Sequence, residues 1–167
     1  MLLVKNLLFT LVVPGTVAVF VPLSIIRGRH PVSGLGFPAG IALLTLGAAI
    51  YTWCVWDFAT FGRGTPAPID EPKKLVVRGL YRFVRNPMYL GVLTTILGWA
   101  ALYQTPALLR YAAFVALTFH LVVLLYEEPH LRQVFGADYE RYRTSTGRWL
   151  PRLRPPAEAT SKGDTPQ

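Results

Sequence analysis

The sequence predicts an all-α protein: a multi-pass integral membrane bundle of about four membrane helices, followed by a C-terminal interfacial amphipathic helix. Three observations point there. Of the 167 residues, 52% are apolar and only 16% charged, where soluble globular chains carry nearer a quarter charged. The apolar residues gather in blocks of bilayer-spanning length. The polar stretches between the blocks are basic, and the net charge is +8.

Residues 7–26 form the first charge-free block, 20 residues long. Pro14 and Pro22 kink it, as membrane helices tolerate. The run is too long for a cleaved signal peptide, and no small-x-small pattern follows it. A short polar turn, Arg27 to Pro31, leads to the second span, 37–56. Gly36, Gly40, Gly47 and Ala48 give that span a small-residue stripe suited to close helix packing. The single Gly36–Gly40 spacing is weak evidence for dimerisation; packing within the bundle is its expected use.

Residues 57–87 change character. Gly62, Gly64, Pro66, Pro68 and Pro72 mark a loop, with basic Arg63, Lys73, Lys74, Arg78, Arg82 and Arg85. So long a connection in so small a protein tends to be functional. Asn86-Pro87 then starts a helix, since asparagine is a strong N-cap and proline suits the first helical position. The spans 88–103 and 107–126, joined by Gln104-Thr105-Pro106, read as a helical hairpin with arms at the short end for crossing. Glu127-Glu128-Pro129 is expected to end the fourth span. Within 127–154, Phe135, Tyr139 and Tyr142 fall at i, i+4 and i+7, the pattern of an amphipathic interfacial helix. Residues 155–167 have the composition of a disordered tail. Residues 1–154 thus read as one membrane domain.

The basic segments 57–87 and 127–154 orient the chain. The positive-inside rule puts both in the cytoplasm, with the protein in the cytoplasmic (inner) membrane. Basicity also fits nucleic-acid binding, but the basic residues flank apolar spans and form no single soluble patch. Cys54 is the sole cysteine, so no internal disulfide or cysteine-cluster metal site exists. His30, His120 and His130 are too scattered to argue a metal.

Both polar segments lie on one membrane face and could close a pocket there. The helix N-terminus at Pro87 favours an anion, and Arg82 and Arg85 add charge. The plain alternative is that Asn86 caps the helix and the arginines face lipid headgroups. Of the adjacent Glu127 and Glu128, at least one must turn toward the bundle or the interface, where acids are functional by default; a solvated helix end is the alternative. His120, seven residues before Glu127, would share its face in a regular helix. It is a proton-transfer candidate, and a hydrogen bond to a neighbouring helix explains it equally well.

The run Gly79-Leu80-Tyr81-Arg82-Phe83-Val84-Arg85-Asn86-Pro87-Met88-Tyr89-Leu90-Gly91 resembles the G-x-Y-x-x-x-R-H-P-x-Y-x-G signature of the isoprenylcysteine carboxyl methyltransferase family. A second block is similar too: Glu127-Glu128, Leu131, Phe135-Gly136, Tyr139, Tyr142, Arg148 and Pro151. The resemblance covers about residues 57–154. It implies an integral membrane methyltransferase that uses S-adenosylmethionine on its cytoplasmic side. The cofactor contacts it implies are Lys73, Lys74, Leu75, Val76, Tyr81, Asn86, Pro87, Met88, Tyr89 and Glu127. Arg85 joins them from the helix N-terminus argument. The methyl acceptor is a lipophilic small molecule or a lipid, entering from the membrane.

Two departures bear on the acceptor. The histidine of R-H-P is Asn86 here, which still donates and accepts but takes no proton. The prenylcysteine enzymes carry an arginine four residues before the first glutamate, facing the substrate carboxylate; here that position is Val123. An amine or thiol acceptor, as in related phospholipid amine and thiol methyltransferases, needs no such arginine. It needs its proton taken, by His120, Glu128 or water. Two rivals remain: an NADPH-dependent reductase of the sterol type, which the short chain argues against, and a non-catalytic membrane scaffold.

Overall fold

The computed structural model describes residues 12–62 and 75–152. Among them every regular element is helical, with one isolated bridge, Val84 to Gly147. The helices are α1 (Val12–Ile25), α2 (Gly36–Asp57), α3 (Pro87–Tyr103), α4 (Pro106–Val122) and α5 (Glu128–Ser145). Two continuous helical paths are long and apolar enough to cross a membrane: Gly36–Phe61, and Pro106–Ser145, which carries α4 into α5. The apolar α1 and α3 are shorter.

Proline explains the irregular start. Pro22 has no N–H to give to the carbonyl four residues back, Ala18. The Trp99 indole N–H of α3 donates to that carbonyl instead, at 2.9 Å. A π-helical turn over Thr16–Phe20 sends the Val21 N–H to the Thr16 carbonyl. The Val17 carbonyl, left over by that shift, accepts from the Tyr111 hydroxyl of α4 at 2.9 Å. The two polar aromatics therefore tie α1 to α3 and α4 where its own ladder fails.

The glycine stripe of α2 packs on α3. A Cβ at Gly47 would sit 2.7 Å from the Gly91 carbonyl oxygen, and one at Gly98 would sit 2.8 Å from the Leu44 nitrogen. Gly40 faces Leu102 and Gly98 in the same way. The stripe serves contact within the protein, and the glycines of α3 complete it. The core behind it joins Ala18, Val92, Ile96, Ala112 and Val115.

Four local expectations are corrected. Helix α2 does not end in a loop at 57 but adds a π-helical turn, Phe58–Gly62. Asn86 stands at the N-cap position of α3 without capping it; its side-chain amide donates to the Arg148 carbonyl at 3.2 Å. Glu127-Glu128-Pro129 does not end the fourth helix. A π-helical turn, Val123–Glu127, takes up the proline, whose missing N–H would break a regular ladder. The C-terminal helix bends at Gly136, whose φ of 49° and ψ of −122° lie outside helical space. Its tyrosine face packs on the chain before α3, Tyr142 on Tyr81 and Tyr139 on Arg85. The expected disordered tail and Lys73 and Lys74 lie outside the described residues.

Candidate functional site

The segment leading into α3 is shaped by a few contacts. Gly79 has φ +55°, and a Cβ there would collide with the Asp57 carboxylate at the end of α2. Glycine alone meets both demands. The turn Gly79–Arg82 then buries Tyr81, whose ring meets Phe58 edge-on at 5.5 Å. Burial pushes the Tyr81 hydroxyl well above the ordinary tyrosine range, so it stays protonated.

The two polar segments come together here. The Tyr142 hydroxyl donates to the Tyr81 carbonyl at 2.7 Å, and the Arg85 N–H donates to the Gly147 carbonyl at 2.8 Å. Arg148 holds Glu128 through Nε at 2.6 Å and Nη2 at 3.0 Å. Arg85 Nη1 lies 3.1 Å from the same carboxylate and 3.3 Å from the Tyr139 hydroxyl. Burial works against the Glu128 charge, but the Arg148 hydrogen bonds and the Arg85 and Arg148 charges outweigh it and hold the carboxyl below its ordinary range. The same hydrogen bond raises Arg148.

Between these segments and the helices lies a cavity of about 350 Å³. Leu75, Val76, Tyr81, Arg85, Asn86, Met88, Tyr89 and Glu127 line it, so most of the expected cofactor residues share one wall. Pro87 is buried between two of them as the first residue of α3. The Tyr89 hydroxyl donates to the Glu127 carboxylate. Arg85 has a side chain only 10% exposed, and its Nε has no hydrogen-bond partner among the described residues. The amides of Met88 and Tyr89, in the first turn of α3, have no side-chain cap. One end of the cavity therefore offers a carboxylate acceptor and several N–H donors. The rest is apolar, closed by Val13, Pro14 and Val17 of α1 and Thr118, Phe119 and Val122 of α4. Val13 of α1 and Val122 of α4, both in this wall, are also exposed.

His120 and Glu128 are not in the cavity wall. Glu128 is committed to its two arginines. His120 accepts the Trp149 indole N–H on Nδ1 at 3.1 Å. The π-helical turn is the reason His120 and Glu127 part company: α4 gives Thr118, Phe119 and Val122 to the cavity, and the next lining residue is Glu127, five rather than four beyond Val122. The same shift buries Val123 at 1% exposure and turns Val122 to the cavity. The α1 residues of the wall carried no signal in a uniformly apolar block. Tyr142 carried one, in its i+7 relation to Phe135, which lines the cavity with it.

Two helices long enough to span a membrane, beside a cavity with one polar end, mark a membrane protein with a candidate ligand site. A family model for phospholipid methyltransferases matches residues 35–138, and the chain belongs to that family. It is 33% identical to human phosphatidylethanolamine N-methyltransferase over 101 residues, 59% of this chain and 50% of that protein. It is 36% identical to methanethiol S-methyltransferase of Pseudomonas deceptionensis over 113 residues, 63% of this chain and 41% of that one. It is 30% identical to a probable protein-S-isoprenylcysteine O-methyltransferase of Oryza sativa subsp. japonica over 116 residues, 67% of this chain and 59% of that one. The chain thus spans about half the length of the curated relatives it matches. No solved structure matches it.

Proposed function

We propose that the protein transfers a methyl group from S-adenosylmethionine to a lipophilic amine or thiol. The observation that carries this is the cavity wall formed jointly by Leu75–Tyr89 and Glu127. The residues present suit the donor. Glu127, oriented by Tyr89, is suited to accept hydrogen bonds from an ammonium group or ribose hydroxyls. The uncapped amides of α3 and the bare Arg85 Nε suit a carboxylate. Val76, Tyr81 and Met88 offer apolar surface to a ring. When bound, S-adenosylmethionine supplies a methyl group already activated on a sulfonium. The task of the chain is then alignment, which contributes about 7–11 kcal/mol in favourable cases.

The names of the relatives cover transfer to nitrogen, sulfur and oxygen. For this chain the apolar end of the cavity favours the first two. Val122, not Val123, faces it, and among the described residues no cation lines that end to pair with a carboxylate; Arg85, at the polar end, is shared with Glu128. The acceptor enters from the bilayer between α1 and α4, and its proton leaves to water, because His120 and Glu128 are both engaged elsewhere. Four membrane spans within a single domain, with the basic cavity end toward the cytoplasm of the inner membrane, complete the arrangement.

The test is methyl transfer from labelled S-adenosylmethionine in membranes containing the protein, with lipophilic amines, lipophilic thiols and prenylated cysteine acids as acceptors. Label in an amine or thiol is expected. Label in the prenylated acids alone would overturn the acceptor class.

A further inference from the structure

His120 and Trp149 belong to no part of the cavity wall, yet they lie directly behind it. The Trp149 indole N–H can only donate. His120 Nδ1, 3.1 Å away, is therefore the acceptor of this hydrogen bond. That bond joins α4 to the strap after α5. The strap is fixed on its other side by Arg148 on Glu128 and by Asn86 on the Arg148 carbonyl. Trp149 is thus locked from both flanks.

Its ring has one further neighbour. The Trp149 and Tyr89 ring centroids are 6.4 Å apart at 55°. Tyr89 also meets Phe119, the residue before His120, at 4.4 Å. Both distances fall in the range of attractive aromatic pairs. The Tyr89 ring is therefore set by α4 and by the strap, and these two are tied by the His120–Trp149 hydrogen bond. At its far end the Tyr89 hydroxyl donates to Glu127, the one carboxylate in the cavity wall among the described residues.

We propose that His120 and Trp149 are positioning residues: their hydrogen bond fixes the Tyr89 ring and, through the Tyr89 hydroxyl, the Glu127 carboxylate that receives the methyl donor. This assigns His120 a role other than proton transfer, and it rests on the cavity being the donor site. Using Nδ1 as a base would require first releasing Trp149. A carboxylate without its Tyr89 partner still lines the cavity but is free to rotate, which weakens binding without abolishing it.

The experiment is calorimetric titration of the detergent-solubilised full chain with S-adenosylhomocysteine, with the thermal unfolding midpoint recorded for each variant. Trp149→Phe keeps a ring and deletes the donor; His120→Leu deletes the acceptor; His120→Asn restores an acceptor oxygen near the Nδ1 position. Trp149→Phe and His120→Leu are each expected to weaken binding roughly five- to tenfold, the scale of one lost hydrogen bond. The double variant is expected to be no weaker than either single one, and His120→Asn to recover most of the loss. Variants that bind like the wild type would overturn the proposal while leaving the donor site intact. Equal loss in His120→Asn and His120→Leu would overturn it too, as would a loss that merely follows the unfolding midpoint. A folded wild-type protein that does not bind would instead overturn the donor site itself, and the proposal with it.

Discussion

Arg148 grips Glu128 through two nitrogens, at 2.6 and 3.0 Å, across 20 residues of chain. Glu128 is 4% exposed, and Arg85 reaches the same carboxylate from the segment before α3. One buried acid therefore holds two arginines from the two sequence blocks that build the cavity.

Removing that acid leaves Arg85 buried without its counter-charge. Glu128→Ala is expected to destabilise the protein by about 3–5 kcal/mol, the usual result of breaking a buried pair from one side. Thermal unfolding in detergent measures it. Arg132→Ala, which breaks a surface pair between side chains each 44% exposed, is expected to change little.

The same site sets a pH dependence. The Glu128 carboxyl is held below its ordinary value of 4.5 in the folded protein. A depressed acid contributes stability that is fully present above its unfolded pKa and is lost as pH falls through the folded one. Unfolding midpoints of the wild type and Glu128→Gln, measured from about pH 6 down to about pH 3, should converge at the acid end. A gap that widens on acidification would contradict the ion-pair assignment.

Packing of α2 on α3 depends on the absence of side chains. Gly47→Ala puts a methyl 2.7 Å from the Gly91 carbonyl oxygen, and backbone cannot step aside as a side chain can. A loss of about 1–3 kcal/mol is expected. Ala48→Leu, at an exposed position one residue on, is the control and should be near neutral.

Trp99→Phe keeps the ring and deletes the donor to the Ala18 carbonyl. Pro22 prevents the helix from supplying a replacement. The carbonyl is left unpaired, at about 1–3 kcal/mol. Ser24→Ala, whose hydroxyl bonds only its own helix at the exposed surface, should be silent by comparison.

Helix positions were largely legible in the sequence. The apolar runs 37–56 and 88–103 start within a residue of the helices at Gly36 and Pro87, because uncharged runs bounded by Pro, Gly and charge leave little choice; the second also ends with its helix at Tyr103, whereas the first helix runs on through a π-helical turn. The pairing of the two polar segments was legible as well, from the positive-inside expectation that both lie on one membrane face. The π-helical turn at Val123–Glu127 was not. Regular helix geometry put His120 with Glu127, and the family resemblance gave Val123 the acceptor side; one extra residue in a turn moved both. Helix geometry alone did not separate the adjacent acids; the family resemblance assigned Glu127 to the cofactor and left Glu128 as a candidate base. Glu127 faces the cavity and Glu128 the arginines because of where Arg148 and Tyr89 stand, and both are distant in the chain.

The most direct measurement is calorimetric titration of the purified wild-type protein and of Glu127→Ala with S-adenosylhomocysteine. Binding on the order of micromolar is expected for the wild type, with a large loss in Glu127→Ala. Absence of binding to folded wild-type protein would contradict the donor site, and equal affinity in Glu127→Ala would contradict its location.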